Sequence, residues 1–310
     1  MSDDVSLEGM SAIVTGAGSG LGRSEALALA QRGANIVVND LGDAADAVVT
    51  EIKALGRDAI AVKGDISSWN LAREAVEAAV DTWGRLDILV NNAGIIRDTM
   101  IFNMGEAEWD DVIRIHLKGH AATTHHAAVH WRSAAKASPD GRTYGRIINT
   151  SSEAGLVGSP GQPNYSAAKS GITALTLATS GALARYGVTA NAIAPRARTD
   201  MTSHIFAEDP HPGALDILAP ERVATFVSFL ASPAAQDITS QLFVVYGRFV
   251  ALIAAPEVEK RFDADDSVFT VDELRSTLTP YFSGREAGKS FAAWNVTTLD
   301  DTGVQNLQAR

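Results

Sequence analysis

The stretch Thr15-Gly16-Ala17-Gly18-Ser19-Gly20-Leu21-Gly22 decides the fold of this chain. A short apolar run, residues 10–15, precedes the glycines, and an Ala- and Leu-rich stretch with helical spacing, residues 21–32, follows them. The order strand, glycine-rich turn, helix exposes backbone N–H groups and a positive helix end, which favour a pyrophosphate. The spacing differs from the G-x-G-x-x-G fingerprint, so by itself the segment is equally consistent with simple turn geometry.

Strand and helix patterns continue to alternate after this segment. Six further apolar runs predict strands, at residues 35–38, 59–62, 86–90, 146–150, 188–193 and 242–245. Helical patterns separate them, including one long helix over residues 108–136. Such alternation implies parallel strands with right-handed crossovers and helices on both faces, and continuous apolar strands fit a sheet covered on both sides. The sequence therefore predicts an α/β, Rossmann-type, doubly wound parallel sheet of about seven strands.

The predicted sheet ends near residue 248, and a C-terminal helical extension follows. Residues 1–248 form the predicted main domain, and residues 249–310 form the extension. In the extension, Thr270 and Glu273 predict a capped helix that Pro280 stops. Because no linker composition separates the two parts, we expect the extension to pack on the same domain or on a neighbouring subunit.

Composition limits the partners and the compartment. The chain carries 26 Lys and Arg against 37 Asp and Glu, a formal charge of −11, and no cysteine. The acidic balance argues against nucleic acid and anionic membranes as partners. No apolar run approaches the ~18 residues of a membrane helix, and acidic residues stand where a secretory signal would be basic. These features, with the lack of cysteine, predict a soluble, cytoplasmic protein.

Asp40 gives the first indication of a particular dinucleotide. It ends the second predicted strand, where an acidic residue accepts hydrogen bonds from the adenosine ribose hydroxyls. A carboxylate there repels a 2′-phosphate, and Ser19 supplies no cation in the loop, so both positions favour NAD over NADP. The alternative is a surface carboxylate in a turn before Gly42. Asp65, after the third strand, is placed either to reach the adenine edge or to cap a helix.

Ser152, Tyr165 and Lys169 form the strongest candidate catalytic set. Tyr165 and Lys169 are four residues apart on a predicted helix and so share one face. A neighbouring ammonium favours the phenolate, which lets a tyrosine exchange a proton with a carbinol oxygen. A Tyr-x-x-x-Lys pair alone is usually a solvated helix face. Here, however, the glycine-rich turn, Asp40, Ser152 and the segment Asn91-Asn92-Ala93-Gly94 all fall at the carboxyl ends of predicted strands, where such sheets bind ligands.

This set of motifs resembles the short-chain dehydrogenase/reductase family over residues 7–245. Within that family the sequence is most similar to the (3R)-hydroxyacyl-CoA dehydrogenase unit of peroxisomal multifunctional β-oxidation enzymes and their bacterial relatives. Three sequence segments carry this second similarity: Val37-Val38-Asn39-Asp40-Leu41-Gly42, Gly161-Gln162-Pro163-Asn164-Tyr165 and Ile193-Ala194-Pro195-Arg196-Ala197-Arg198-Thr199-Asp200-Met201-Thr202.

The resemblance implies a role for each matching residue. Tyr165 would be the general acid/base, Lys169 would hold the nicotinamide ribose and lower the pKa of the tyrosine, and Ser152 would bind the substrate oxygen. Tyr165 and Lys169 thus belong to the cofactor site as well. The remaining implied cofactor residues are Gly16, Ser19, Gly20 and Leu21 at the pyrophosphate, Asp40, Asp65 and Ile66 at the adenosine, Asn92, Ala93 and Gly94 at the ribose, and Thr199 at the carboxamide.

The chain also departs from the family pattern. His116 stands where many members have an Asn that is assigned to a proton relay, so His116 is a candidate relay residue or a structural one. Arg196 replaces the usual Gly after the sixth strand, and Tyr246-Gly247-Arg248 replaces the usual Asp-Gly-Gly ending. The histidines near residues 120–130 read as structural, because no carboxylate is placed to complete a ligand set; no metal is expected.

The sequence therefore predicts an NAD-dependent oxidoreductase that acts on a secondary alcohol or ketone. Its expected substrate is lipophilic, a 3-hydroxyacyl-CoA or a hydroxysteroid, and the resemblance implies a homodimer or homotetramer. Two alternatives remain open. One is a catalytically idle NAD-binding sensor or scaffold, against which the intact catalytic set argues. The other is an NADPH-dependent 3-oxoacyl reductase, against which Asp40 argues.

Overall fold

The structure is a computed structural model that describes residues 3–202, 216–286 and 288–299. Its strands are β1 (Ser11–Thr15), β2 (Asn35–Asp40), β3 (Ala59–Lys63), β4 (Ile88–Asn91), β5 (Gly145–Thr150), β6 (Val188–Pro195), β7 (Leu242–Tyr246) and β8 (Phe249–Leu252). Its α-helices are α1 (Gly20–Gln31), α2 (Ala44–Ala54), α3 (Trp69–Trp83), α4 (Glu106–Val112), α5 (Gly119–Ala137), α6 (Ala154–Val157), α7 (Pro163–Leu183), α8 (Pro220–Leu230) and α9 (Val271–Ser283). Short 3-10 helices span Asp3–Val5, Ile101–Asn103, Ala184–Tyr186, Pro233–Ala235 and Trp294–Thr298.

One sheet runs through the described part of the chain, in the order β3-β2-β1-β4-β5-β6-β7-β8. Strands β1 to β7 are mutually parallel, which confirms the predicted Rossmann-type sheet. The eighth strand was not predicted. It pairs antiparallel with β7, with Val245 opposite Val250, after the chain reverses at Gly247, whose φ is +59°. A positive φ is a conformation that glycine adopts readily, and it allows this two-residue reversal.

Alternate side chains of each strand pack on opposite faces of the sheet. In β1, Ala12 and Val14 join the core beneath α1, α2 and α8, whereas Ile13 joins the core beneath α3 and α5. Trp131 of α5 is fully buried in the second core, and its indole N–H donates to the Leu86 carbonyl over 2.6 Å. Both faces of the sheet are therefore covered, as the continuous apolar strands required.

The predicted long helix over residues 108–136 is continuous but not uniform. A π-helical segment, Ile113–Lys118, joins α4 to α5. Short π segments inside α-helices widen the turn and often occur at functional sites. His116 lies within this segment and is buried.

The extension begins as β8 and continues to α9. Thr270 and Glu273 form the predicted capping box at the start of α9. The predicted stop at Pro280 is wrong: Pro280 lies inside the helix, which ends at Ser283. A proline removes one helical hydrogen bond, and because no residue of α9 is buried, water can satisfy the carbonyl that loses its partner. Residues 287 and 300–310 of the predicted extension lie outside the described residues.

The last described segment packs on the main domain near α6. The Ala293 N–H donates to the Leu156 carbonyl over 3.0 Å, and Val296 is only 2% exposed. Val296 belongs to a small apolar cluster with side chains of β6 and β7. Among the helices of the described residues, none has the length and apolar character needed to cross a bilayer.

Glu25 of α1 is a buried carboxyl group with an unusual environment. It is fully buried, and neither of its oxygens has a hydrogen-bond partner among the described residues. Burial raises the pKa of Glu25 to about 8, because desolvation disfavours the charged form. At pH 7 this side chain is therefore held mainly as the neutral acid.

This shift predicts how the stability of the fold depends on pH. The pKa of Glu25 is about 8 in the folded chain and about 4.5 in the unfolded chain. Between pH 4.5 and pH 8 the folded chain therefore holds a proton on Glu25 that the unfolded chain has released. The free energy of unfolding should therefore fall as pH rises through this window. Glu25→Gln keeps a neutral side chain of similar size, and we expect it to raise Tm by at least about 2 °C at pH 8.5 and to change it little at pH 5.

Scanning calorimetry at both pH values measures this difference. Glu74→Gln is the matched control, since Glu74 is exposed on α3 and its replacement should leave the pH dependence of Tm unchanged. A Glu25→Gln protein that is less stable than the wild type at pH 8.5 would contradict the assignment of a neutral, uncompensated carboxyl.

Candidate active site

The carboxyl ends of the central strands meet at one edge of the sheet, and the predicted site residues follow them. The glycine-rich loop follows β1, Asp40 ends β2, and Asn92 to Gly94 follow β4. Ser152 comes two residues after β5. In parallel sheets this edge is where ligands bind.

The glycine-rich loop fits tightly between two other segments. Gly16 has a φ of +63°, and a Cβ atom there would lie 2.8 Å from the Cα atom of Ala93. Gly20 has a φ of +52°, and its Cβ would lie 3.2 Å from Cγ2 of Thr199. Glycine is therefore required at both positions by backbone conformation and by space. The loop leads into α1, and Ser19, which precedes the first helical residue, makes no side-chain capping hydrogen bond. A glycine-rich loop before a helix N-terminus is a common position for binding an anion such as a pyrophosphate.

Asp40 turns its carboxylate toward this loop. Its Oδ2 accepts a hydrogen bond from the Gly18 N–H over 2.8 Å, and its Oδ1 accepts one from the Leu41 N–H over 2.7 Å. A Cβ on Gly18 would lie 2.9 Å from the Asp40 carboxylate. The next side chain, Leu41, is apolar and exposed. The position beside the loop thus carries a negative charge.

Asp65 and Ile66 follow β3 at the same edge. The Asp65 carboxylate accepts hydrogen bonds from the Ser67 N–H, at 2.9 Å, and from the Arg114 guanidinium. Burial raises the pKa of Asp65, but the hydrogen bonds from Ser67 and Arg114 outweigh it and hold the pKa below its usual value. Ile66 is buried against Gly119. Arg114 had no sequence signal, because its approach depends on the π segment.

Thr15 anchors the turn after β4, which the sequence did not indicate. Its hydroxyl oxygen accepts hydrogen bonds from the N–H groups of Asn92 and Ala93, at 2.9 and 3.0 Å. The Asn92 side chain donates to the Thr15 carbonyl over 3.1 Å. The turn from Asn92 to Gly94 is therefore fixed against the start of the glycine-rich loop.

Lys169 and Tyr165 lie on α7 and face the end of β5. Lys169 is 2% exposed, and its ammonium donates to the Thr150 carbonyl over 2.6 Å. The same nitrogen lies 5.3 Å from the centroid of the Tyr165 ring. The predicted three-residue set of Ser152, Tyr165 and Lys169 is thus brought together, with the carbonyl of Thr150 as a partner that a sequence pattern cannot reveal.

Burial dominates the electrostatics of this set. It raises the pKa of Tyr165 to about 12, although hydrogen bonding to the Ser152 hydroxyl acts in the opposite direction. It also lowers the pKa of Lys169 to about 7. In this arrangement the Lys169 ammonium donates to the Thr150 carbonyl, and the effect of burial on the pKa of Tyr165 exceeds that of the Ser152 hydrogen bond. Asp98, whose charge raises the pKa of Tyr165 further, was not predicted.

His116 lies directly behind the turn after β4. Its Nε2 is 2.9 Å from the backbone nitrogen and 2.7 Å from the carbonyl oxygen of Ile95. A Cβ atom on Gly94 would overlap the imidazole, so the glycine makes room for the ring. The ring also stacks edge-on against Tyr165, with centroids 5.2 Å apart. Burial, together with the charge of Lys169, lowers the pKa of His116 to about 3.

A neutral imidazole is therefore the form at this position throughout the physiological range. Its Nδ1 has no hydrogen-bond partner among the described residues. His125 and His126, on the same long helix, stack against each other and against Trp69. Within the described ranges, no three or more His, Asp or Glu side chains are grouped so that they could hold a metal ion.

The structure also contains an ion pair beside the site that the sequence did not predict. Arg196 pairs with Glu153, the residue after Ser152. Arg196 had been noticed only as a departure from the family pattern. The presence of a large cation in place of glycine at position 196 was the only indication in the sequence. Glu153 is 43 residues away in the chain, so residue spacing could not identify it as the partner of Arg196.

The family follows from comparison with known proteins. The model of the short chain dehydrogenase family matches residues 10–210. The chain therefore belongs to the short-chain dehydrogenase family.

Individual relatives agree with the sequence-based resemblance. The hydroxyacyl-CoA dehydrogenase ChsB1 of Mycobacterium tuberculosis is 53% identical over 295 residues, which cover 93% of each chain. The peroxisomal multifunctional enzyme type 2 of Mus musculus is 39% identical over 249 residues, which cover 76% of this chain and 32% of that enzyme. A crystal structure of a short chain dehydrogenase from Mycobacterium avium has a TM-score of 0.80 at 43% identity, covering 90% of this chain and 96% of that one. These similarities confirm the predicted family and fold.

The position of Tyr165 predicts the effect of removing its hydroxyl. Tyr165→Phe keeps the ring that packs against His116 and removes only the phenolic oxygen, for which the sequence predicts a general acid/base role. We expect kcat to fall by at least about 100-fold, the usual scale for a general acid/base group, while the Kd for the dinucleotide stays within about twofold. Steady-state kinetics and calorimetric titration measure the two quantities. Tyr281→Phe removes an exposed hydroxyl on α9 and is the matched control, which should be fully active. A Tyr165→Phe enzyme with near-normal kcat would contradict the general acid/base role of Tyr165.

Substitution of His116 distinguishes a proton relay from a packing role. Asn can still exchange hydrogen bonds with the Ile95 backbone, whereas Leu cannot, so His116→Asn should retain more activity than His116→Leu. Because the pKa of His116 is about 3, its ionisation should leave no step in the pH profile of kcat between pH 5 and pH 8, in the wild type or the Asn variant. His125→Asn, on the exposed side of α5, is the control. Equal kcat in the wild type and both His116 variants would exclude a relay through this residue.

Proposed function

We propose that this chain is an NAD-dependent dehydrogenase that transfers a hydride between NAD and a secondary alcohol or ketone, with a 3-hydroxyacyl-CoA or a hydroxysteroid as the substrate class. The observation that carries the proposal is the approach of Ser152, Tyr165 and Lys169 at the same sheet edge as the Asp40 carboxylate. The residues proposed as general acid/base and as dinucleotide site thus lie at the same edge of the sheet.

The residues present fit a nicotinamide dinucleotide. The glycines at positions 16 and 20 keep a cradle clear that Cβ atoms would fill. The carboxylate of Asp40 lies where the adenosine ribose hydroxyls would bind, and Thr199 borders the loop on the nicotinamide side. When bound, the nicotinamide supplies the hydride acceptor or donor.

The protein side chains would handle the proton. Ser152 orients the substrate oxygen by a hydrogen bond, and Tyr165 takes the hydroxyl proton during oxidation or returns it during reduction. Lys169, with a pKa of about 7, holds the ribose and places a positive charge near the phenol when it is protonated.

The preference for NAD rests on charge. Asp40 would repel the 2′-phosphate of NADP, and neither Ser19 nor Leu41 offers a cation to attract it. An acyl-CoA substrate is supported by the 53% identity to a protein named as a hydroxyacyl-CoA dehydrogenase. The steroid alternative shares the lipophilic character and the secondary alcohol. We also propose a cytoplasmic homodimer or homotetramer, with the roles of residues 1–248 and 249–310 as the sequence divides them.

A spectrophotometric screen for NADH formation tests the function. Purified enzyme is incubated with NAD and either 3-hydroxyacyl-CoA thioesters of increasing chain length or hydroxysteroids. Tyr165→Phe serves as the matched inactive protein. We expect wild-type turnover on at least one of these alcohols. Tight NAD binding with no turnover on any alcohol would instead favour the sensor or scaffold.

The charge argument predicts the effect of changing the cofactor site. Asp40→Ser combined with Ser19→Arg removes the repulsion and adds a cation, so we expect the ratio of kcat/KM for NAD to that for NADP to fall by at least about tenfold, or 1.4 kcal/mol. Asp43→Ser removes a fully exposed carboxylate near the same turn and should leave the ratio unchanged. A wild-type enzyme that uses NADP better than NAD would overturn this account of Asp40.

A further inference from the structure

Arg196 and Glu153 form a bidentate ion pair that is largely withdrawn from water. Arg196 Nε donates to Glu153 Oε2 over 2.6 Å, and Nη2 donates to Oε1 over 2.8 Å. The Arg196 side chain is 9% exposed and the Glu153 side chain 16%. A buried pair is favourable only when its geometry is good and further hydrogen bonds satisfy its remaining atoms. Two parallel hydrogen bonds also fix direction as well as distance, so this pair sets the relative position of the two backbone segments that carry it.

One of these segments contains Ser152. Glu153 is the next residue in the chain and precedes α6. The Ser152 carbonyl accepts a hydrogen bond from the Gly155 N–H over 3.0 Å, and its hydroxyl oxygen accepts one from the Ala154 N–H over 3.2 Å. Ser152 and Glu153 therefore form one rigid turn with the start of α6. A shift of the Glu153 side chain would be transmitted to the Ser152 hydroxyl through this turn.

The C-terminal extension holds the other side of the arginine. Arg196 Nη2 also donates to the Val296 carbonyl over 3.2 Å, and the guanidinium carbon lies 4.2 Å from the Tyr246 ring centroid. The Tyr246 hydroxyl donates to the Leu299 carbonyl. Val296 is 2% exposed and packs in the apolar cluster with side chains of β6 and β7. This packing holds the Val296 backbone in place, so its carbonyl is a well-positioned acceptor for Arg196.

These contacts bring together three of the points at which the sequence departs from the family pattern, although not His116. Arg196 replaces a glycine, Tyr246 belongs to the altered ending, and Val296 lies in the added extension. In the structure the guanidinium of Arg196 touches the other two and Glu153 at the same time. The departures are therefore parts of one physical arrangement beside the catalytic turn.

We propose that Arg196 is a positioning residue through which the segment 293–299 aligns the Ser152 hydroxyl by way of Glu153. The inference rests on the proposed role of Ser152 in binding the substrate oxygen. It assigns to the extension a function in the reaction without requiring that any of its residues touch the substrate.

Hydrogen exchange tests the coupling without an activity measurement. Val296→Asp places a carboxylate in the apolar cluster and should release the segment, whereas Asn295→Asp adds the same charge at an exposed neighbouring position. We expect Val296→Asp in the full-length chain to speed amide exchange by at least about tenfold in the peptide covering residues 152–155, since the N–H groups of that turn would open more often. Residues 156–158 are left out of the comparison because the Leu156 carbonyl accepts a hydrogen bond directly from Ala293. Asn295→Asp should leave this peptide unchanged. Faster exchange confined to residues 293–299 would overturn the proposal.

Kinetics test the consequence for catalysis. Arg196→Gln should lower kcat by about 10- to 100-fold, the effect of a small misplacement of a catalytic group, and leave the Kd for NAD within about twofold. In the oxidation direction, the limb over which kcat/KM rises with pH should also move to higher pH, because a displaced Ser152 no longer lowers the pKa of the Tyr165 phenol through its hydrogen bond. A purely structural arginine would lower Tm without moving this limb.

A double-mutant cycle keeps the test interpretable if the single variant folds poorly. Glu153→Gln with Arg196→Gln removes both charges, so no unpaired ion remains buried, and its kcat loss should not exceed that of the worse single variant. Additive losses, or an Arg196→Gln enzyme with kcat within twofold of the wild type, would overturn the positioning role. If instead Ser152→Ala is fully active, the proposed function of Ser152 fails, whatever the exchange experiment shows.

Discussion

The burial of the Lys169 ammonium against the Thr150 carbonyl is the interaction on which the candidate site depends. No carboxylate of the described residues neutralises this cation, and its pKa falls to about 7 as a result. Its charge in turn helps to hold His116 in the neutral form. In a neutral imidazole, Nε2 either accepts from the Ile95 N–H or, in the other tautomer, donates to the Ile95 carbonyl. The ring packs edge-on against Tyr165. Burial at the end of β5 therefore shifts the pKa values of Lys169 and His116 together, and the Thr150 carbonyl provides the ammonium with a hydrogen-bond acceptor.

A network of neutral polar side chains supports this edge of the sheet from within. Asn91 donates to Asn149 over 2.9 Å and accepts from Thr123 over 2.6 Å, and Asn149 donates to Thr176 over 2.9 Å. These groups are buried, and leaving any of them unpaired would be costly. The network ties β4 and β5 to the two long helices behind them. It thus limits movement of the strand ends from which the catalytic turn and the Asn92 turn begin.

Sequence patterns predicted what repeats along the chain and missed what depends on contacts between distant segments. The parallel strands follow from apolar runs, and Tyr165 and Lys169 follow from helical spacing. Arg114 lies in the π segment and pairs with Asp65, which is 49 residues away in the chain, and no residue pattern predicted either the segment or the pair. Strand β8 was missed because four residues beyond Gly247 are too few for a periodicity to be evident. The Arg196–Glu153 pair depends on the fold that brings β5 and β6 together, so it could be recognised only in the structure.

Strand β8 connects the edge of the sheet with the site. A long exposed edge strand invites pairing with other chains, and β8 removes that edge from β7 while remaining short itself. Because β8 runs antiparallel to β7, it carries the chain away from the catalytic edge, and the chain must return for segment 293–299 to contact α6. Residues between them, including α9, contribute few buried side chains to this path. Within the described part of the extension, β8 and segment 293–299 are therefore the parts held by the main domain. Strand β8 completes the sheet, and segment 293–299 contacts Arg196 beside the turn that contains Ser152.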